Sequence, residues 1–289
     1  MSTGAVAGAD ALLDRKLEAL QDILRSMRRV IVAFSAGVDS TFLLKVAIDT
    51  LGPANVLAAT ARSDSLSRAE FEEACRLADR FGSPHRIIDT EEMKDPNYRA
   101  NPTNRCYFCK TELYTKLRPI LEQEGYTAIL NGINADDLGD FRPGIQAAKD
   151  NNVRAPCVEA GLTKEDIRLL SERMGLPTYD KPASPCLASR IQYGEEITPA
   201  KLRMVEQGEA FLRTLGLREC RVRHHNNLAR IEVPADRIAE FMQPEVRAKI
   251  DAAFRKMGYT YVTMDMRGFR TGSMNEVIAF GKKQPGPEE

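Results

Sequence analysis

The apolar positions of this chain change period repeatedly, and each change marks an element. Leucines at 13, 17, 20 and 24 recur at the spacing of one helix face across residues 10–27. RRVIVAF then runs apolar without a helical period and reads as a buried strand. DSTFLLKVAIDTLG reads as a helix closed by Gly52. NVLAATA predicts a second strand, SRAEFEEACRLADRFG an amphipathic helix, and HRIIDT a third strand. After the loop EEMKDPNYRANPTNRCYFCK, a helix ends near Gly125, TAILNGIN predicts a fourth strand and NVRAPCV a fifth. Short strands alternating with helices imply right-handed crossovers and a mainly parallel sheet, the α/β class.

Beyond TKEDIRLLSERMG the rhythm breaks. Residues 177–195 (PTYDKPASPCLASRIQYGE) hold no period and read as an ordered loop or linker. The helix PAKLRMVEQGEAFLRTLG follows, then the two-strand pattern ECRVRHHNNLARIEV, a helical stretch to Gly258, and the strands YTYVTMD and NEVIAF. A parallel-sheet domain over residues 1–190 and a smaller α+β domain over 195–289 are therefore expected, with KKQPGPEE a frayed tail.

Composition narrows the function class only slightly. With 43% apolar residues the chain can bury a core, and 41 basic against 41 acidic residues give no argument for nucleic acid or an anionic membrane. MSTGAVAGADALLDRK lacks a basic region followed by an apolar core, and no apolar run reaches the roughly 18–20 residues that span a bilayer. Six cysteines in so long a chain read as thiols, metal ligands or reactive groups in a reducing compartment, so the cytoplasm is expected.

The first candidate chemistry lies in FSAGVDST, between the first strand and its helix. In the first βα turn of a parallel sheet, loop amides and the helix N-terminus face an anion. Gly37 permits close backbone approach, and Ser35, Ser40 and Thr41 add hydroxyls. No lysine precedes Ser40, so this is not a Walker A loop; G-x-G-x-x-G is absent, and Ala33 breaks G-x-S-x-G. S-x-G-x-D-S resembles the PP-loop of the ATP pyrophosphatase group. That resemblance implies that residues 35–41 (Ser35, Ala36, Gly37, Val38, Asp39, Ser40, Thr41) cradle the β,γ-phosphates of an ATP cleaved between α and β.

The cysteines divide by context. Cys75, Cys157 and Cys220 sit among apolar neighbours, where a free cysteine acts as a small hydrophobe. Cys106 and Cys109 form C-Y-F-C at the start of a helix, and Cys186 lies in a proline-stiffened loop between Lys181 and Arg190; both settings favour thiolate. Three such thiolates are compatible with a zinc site completed by His85, His224 or His225, with a redox pair that leaves Cys186 aside, with a 4Fe–4S cluster having one open iron, or with unrelated thiols. Spacing alone leaves these open.

S-A-G-V-D-S, N-P-T-N-R-C-Y-F-C-K, G-I-N-A-D-D-L-G-D-F-R-P-G and P-A-S-P-C-L-A-S-R, with R-V-R-H-H and A-R-I-E-V after them, together resemble the LarE family. These are the ATP-dependent sulfur transferases of nickel-pincer nucleotide cofactor synthesis, built on the PP-loop fold. The resemblance implies a pyridinium-3,5-biscarboxylic acid mononucleotide substrate, ATP with Mg²⁺, and a sulfide or other sulfur donor. A carboxylate is adenylated and sulfur displaces AMP, twice per molecule. In lone-cysteine members the residue at the position of Cys186 surrenders its sulfur and becomes dehydroalanine. Cys106 and Cys109 place this chain with the three-cysteine subgroup, in which a 4Fe–4S cluster on Cys106, Cys109 and Cys186 is thought to carry an extra sulfide.

The same resemblance implies that Ser189, Arg190, Arg221 and Arg223 bind the substrate phosphate, a task suited to arginine's planar fork. Alternation puts Arg221 and Arg223 on one strand face. Gly132, Asn134, Asp136 and Asp137 follow the fourth strand at the PP-loop's sheet edge, where Asp136 or Asp137 with Asp39 would hold Mg²⁺; an Asx turn with a helix cap is the competing reading. Ala59 and Arg62 would border adenine, Glu209 is a candidate metal or substrate contact, and His224 and His225 read as strand-end polar residues. The smaller domain is expected to serve substrate binding and self-association into a homo-oligomer. Two other classes compete with sulfur insertion: a tRNA-thiolating PP-loop enzyme, opposed by the balanced charge, and a nucleotide or redox sensor without catalysis.

Overall fold

The structure is a computed structural model that describes residues 3–139 and 143–276. It divides into two compact units, one of Met1–Tyr98 with Thr103–Ser184 and one of Arg99–Pro102 with Pro185–Glu289. Residues 140–142 of the G-I-N-A-D-D-L-G-D-F-R-P-G motif, most of NEVIAF and all of KKQPGPEE lie outside the described residues.

In the first unit, α1 (Thr3–Met27), β1 (Val30–Ala33), α2 (Val38–Leu51), β2 (Val56–Arg62), α3 (Arg68–Arg80) and β3 (His85–Asp89) follow one another. After them come α4 (Pro96–Arg99), which runs to the unit boundary, α5 (Arg105–Glu124), β4 (Ala128–Leu130), α6 (Pro143–Asp150), α7 (Pro156–Glu159) and α8 (Lys164–Arg173). The strands form a parallel sheet in the order β3-β2-β1-β4, with Val30 opposite both Val56 and Ala128. Helices cover both faces, which is why the central strand is a continuous apolar run. Val30 and Val32 pack in the cluster with Leu20, Leu24, Phe42 and Leu170, while Ile31 packs in the cluster with Leu57, Leu113, Leu117 and Ile129.

Strands β2 and β3 extend from β1 in one direction and β4 lies on its other side. The order therefore reverses at β1, and the turns leaving β1 and β4 lie side by side at the carboxyl edge, the place where open parallel sheets bind their ligands. The expected fifth strand is not formed. Arg154 makes a single bridge to Leu130, and Pro156 then opens α7, because its ring suits the first helical turn and offers no N–H to a ladder. Cys157 thus sits in a helical turn rather than a strand.

The second unit contains α9 (Pro199–Thr214), β5 (Arg221–His225), β6 (Leu228–Glu232), α10 (Ile238–Phe241), α11 (Pro244–Lys256) and β7 (Tyr261–Met264). β5 and β6 pair antiparallel across a two-residue turn at Asn226, whose φ of 53° belongs to the left-handed region that asparagine tolerates. β7 adds in parallel to β6, and Leu212, Val222, Ile231, Phe241 and Phe254 fill the core beneath. Asn275, expected to begin a strand, closes a 3₁₀ turn over Ser273–Asn275. The excursion Arg99–Pro102 is stitched into this unit. Buried Asn101 donates from Nδ2 to the carbonyls of Ile191 (3.2 Å) and Gln192 (2.8 Å), and its own carbonyl accepts from Gly194 N–H. Among the described residues no helix is long and apolar enough to cross a membrane.

Candidate active site

The turn after β1 is braced by its own hydroxyls. Ser40 Oγ accepts from Ser35 N–H at 3.3 Å, donates to Gly37 O at 3.3 Å, and stands 3.1 Å from Ser35 Oγ. Gly37 is extended (φ −77°, ψ 166°) at the helix N-cap, and the first bond back into α2 runs from Thr41 N–H to Gly37 O at 2.9 Å. The amides of Val38, Asp39 and Ser40 precede that bond, so they have no intrahelical acceptor and carry the positive end of the helix dipole. Thr41 Oγ1 is buried without a hydrogen-bond partner, a donor left over by the protein's own packing.

The loop after β4 closes against this turn. A Cβ on Gly132 would lie 2.8 Å from Ser40 N and 3.0 Å from the Asp39 carbonyl carbon, so only glycine lets the two backbones approach. Two residues on, Asn134 Nδ2 donates to Asp39 Oδ1 at 3.3 Å. Asn134 Oδ1 accepts from Asp136 N–H at 3.0 Å, an Asx turn, and Asp137 Oδ2 accepts from Asn134 N–H. Asp136 Oδ2 in turn accepts from the backbone of Lys164 at 2.9 Å. The Asp136 carboxylate is thereby tied to the start of α8, beside rather than within the Asp39 contacts.

Two lysines from distant positions stand at the turn, each already paired with carboxylate. Lys164 Nζ meets Asp39 Oδ2 at 2.5 Å. Its place is set by a capping box, in which Thr163 Oγ1 accepts from Asp166 N–H and Asp166 Oδ2 accepts from Thr163 N–H. Lys181 Nζ donates to the carbonyl of Ala36 at 3.1 Å and to Glu70 and Glu73. Sequence reading missed Lys164 entirely, although T-K-E-D ahead of IRLL signals a helix start; it placed Lys181 beside Cys186 instead. Behind the turn, burial and then the Asp39 carboxylate push the Cys157 thiol far up, which suits a packing role. Ala59 is buried opposite Ala33, and Arg62, at the exposed strand end, forks onto Asp89 at 2.6 and 2.9 Å.

The second unit gathers its arginines inward. Arg190 is 2% exposed and forks onto Glu209, Nε to Oε1 at 2.8 Å and Nη2 to Oε2 at 3.2 Å. Its Nη1 donates to Ser189 Oγ (2.9 Å) and to the carbonyls of Cys186 (3.1 Å) and Pro185. Burial alone would raise the Glu209 carboxyl, but Arg190, with Arg221 and Arg213, outweighs it and holds the group below the usual range. Arg221 lies over the Phe269 ring with its carbon 5.0 Å from the centroid; burial first, then the charge of Arg190, brings its pKa down to about 10. Arg223 donates to Glu232 (2.8 Å) and Ser273 Oγ (2.9 Å), and its buried Nε lacks a partner. Neither Arg221 nor Arg223 is a surface arginine. Both are buried beside carboxylates, Arg221 near Glu209 and Arg223 on Glu232.

His224 is buried, with Nδ1 3.2 Å from Tyr259 OH and Nε2 3.2 Å from Glu195, and burial lowers its pKa. No cysteine is in a disulfide; Cys157 and Cys220 are buried, Cys75, Cys109 and Cys186 half-buried, and Cys106 exposed. Cys106 is the second and Cys109 the fifth residue of α5 in the first unit, and Cys186 is the N-cap of the 3₁₀ turn Leu187–Arg190 in the second. Among the described residues no group of three or more His, Cys, Asp or Glu is gathered as a metal site.

A parallel sheet that reverses order at a Ser/Gly/Asp turn, with amides, hydroxyls and distant lysines around it, defines the first unit as a PP-loop nucleotide-binding domain of the α/β class. Residues 14–121 match the NAD synthase family. Over 267 residues the chain is 46% identical to an uncharacterised protein of Synechocystis, covering 92% of this chain and 99% of that one. It is 36% identical over 268 residues to the pyridinium-3,5-bisthiocarboxylic acid mononucleotide synthase of Lactiplantibacillus plantarum, covering 93% and 96%. A tRNA-specific 2-thiouridylase of Azorhizobium caulinodans is more distant, 27% identical over 63% of this chain and 56% of its own length. The chain belongs to the family of the pyridinium-3,5-bisthiocarboxylic acid mononucleotide synthase, the LarE family, an enzyme branch of the PP-loop proteins.

Proposed function

We propose that this protein inserts sulfur into pyridinium-3,5-biscarboxylic acid mononucleotide at the expense of ATP, a step of nickel-pincer cofactor synthesis. The observation that supports the ATP half is the turn itself: the first amides of α2 have no intrahelical acceptor, Ser40 braces the loop ahead of them, and the Lys164 ammonium stands on Asp39 beside them. Asp39 and Asp136 are the carboxylates that would hold Mg²⁺; Asp39, half-buried beside the phosphate turn, fits that role once Lys164 turns to the triphosphate.

The chemistry follows from the leaving group. A carboxylate resists sulfur because oxide would have to depart. Attack of the carboxylate on the α-phosphorus releases pyrophosphate and makes an acyl adenylate. A sulfur nucleophile then adds to the acyl carbon, AMP leaves, and a thiocarboxylate remains. Ser189, Arg190, Arg221 and Arg223 are proposed to bind the substrate phosphate, supported by the Arg190 Nη1–Ser189 Oγ contact and by the unpartnered buried Nε of Arg223. Cys186 is the proposed sulfur-handling residue.

Cys106, Cys109 and Cys186 are the residues that would hold a 4Fe–4S cluster. The fit rests on donor chemistry: these are thiols outside the buried set, two of them one helical turn apart at a helix N-terminus that favours thiolate. When bound, such a cluster supplies a labile sulfide at its open iron. The protein's own part is to orient Cys186, through Arg190 and the Cys186 carbonyl, and to hold the substrate phosphate.

Pyrophosphate release, measured with ATP and with or without the pyridinium mononucleotide, tests the proposal. Release that requires the mononucleotide is expected. Nucleotide binding without release would favour a sensor, and release that requires tRNA, falling steeply with salt, would favour tRNA thiolation.

A further inference from the structure

We propose that Lys181 is a positioning residue for the phosphates of ATP: pinned by Glu70 and Glu73, its ammonium holds the Ala36 carbonyl and so aims the Gly37 amide into the loop. The inference rests on the reading of the turn as an ATP site.

Ala36 has φ 55°, a left-handed conformation that a residue with a Cβ adopts only when its surroundings hold it there. Its carbonyl accepts from Lys181 Nζ at 3.1 Å, a side chain 145 residues away. In a planar trans peptide the C=O and the following N–H point in opposite directions. Drawing the Ala36 oxygen towards Lys181 therefore turns the Gly37 N–H the other way, towards the side where the first-turn amides of α2 converge. Lys181 is itself fixed. Its ammonium has three N–H groups and three acceptors, Ala36 O, Glu70 Oε2 at 2.8 Å and Glu73 Oε2 at 2.5 Å, with 15% of the side chain exposed. No donor is left for a phosphate, which separates this role from that of a direct phosphate ligand. Glu70 is in turn placed by the Ser67 cap at the start of α3, so the brace ties the loop to a second helix.

The test is calorimetric binding of inorganic pyrophosphate with Mg²⁺ to the full chain, with AMP as the control ligand. Lys181→Met is expected to weaken pyrophosphate at least about tenfold, because the Gly37 amide is no longer aimed and its one charge-assisted contact to phosphate is lost. AMP affinity should stay within about twofold, and in turnover the KM for ATP should rise more than kcat falls. Glu70→Gln with Glu73→Gln keeps the ammonium but frees it, and is also expected to weaken pyrophosphate. Should Lys181→Met not fold, that double variant carries the test alone. Tighter pyrophosphate binding in the double variant would show Lys181 to be a phosphate ligand and overturn the proposal, as would unchanged binding in Lys181→Met. Wild-type protein that binds no pyrophosphate would overturn the ATP-site reading and the proposal with it.

Discussion

Asp39 and Ser40 sit where the turn becomes helix; the Asp39 carboxylate meets Lys164 and Asn134, and the Ser40 hydroxyl is buried against Ser35 and Gly37. Asp39→Ala removes a half-exposed ion pair to Lys164, and such pairs contribute about 0–1 kcal/mol. Asp39→Ala and Ser40→Ala are therefore expected to abolish ATP-dependent pyrophosphate release while leaving the thermal midpoint within a few degrees. Full turnover in both would end the PP-loop assignment. Gly132→Ala acts differently, because the added carbon would meet backbone at 2.8 Å and backbone cannot rotate away. It is expected to cost about 1–3 kcal/mol by overpacking and to cut ATP affinity, since relief requires moving the start of α2. Normal melting with normal ATP binding would contradict this. At this scale the sequence announced the turn's own residues, because strand, small and hydroxyl residues, and helix are consecutive. It could not announce Lys164 or Lys181, which reach the turn from 125 and 145 residues away.

The elements of the parallel sheet were legible where periodicity was long, as in β1, α2 and α3. They were not legible at NVRAPCV, whose apolar letters suit a strand equally well until Pro156 is counted as a helix opener. β5 gives the sharpest contrast between pattern and structure. Alternation alone put Arg221 and Arg223 on one face, but not that the face is buried against Phe269 and Glu232. From that burial, Arg221→Ala and Arg223→Ala are each expected to weaken the mononucleotide by roughly 10- to 150-fold, a charge-assisted contact of about 1.5–3 kcal/mol. ATP affinity should change much less. Equal losses for both ligands in a titration series would place these arginines at the wrong substrate. Arg223→Ala should also destabilise the protein more than Arg221→Ala, since it removes a hydrogen-bonded partner of the fully buried Glu232.

Over the whole molecule, the proposed sulfur source lies with the three cysteines. Cys106 and Cys109 belong to one unit and Cys186 to the other, with the Arg99–Pro102 excursion of the second unit leading by chain connectivity into Cys106. If the three share a cluster, each single alanine variant should lose most of its iron and brown absorbance after anaerobic reconstitution. Silent Cys106→Ala and Cys109→Ala, with Cys186→Ala inactive, would instead assign the sulfur to Cys186 itself. The central claim, that adenylation at the PP-loop drives sulfur insertion, is tested most directly by mass spectrometry of the nucleotide after anaerobic turnover with MgATP and sulfide. One AMP and one pyrophosphate should form for every carboxylate oxygen replaced by sulfur. AMP formed without sulfur in the nucleotide, or sulfur gained without AMP, would contradict it.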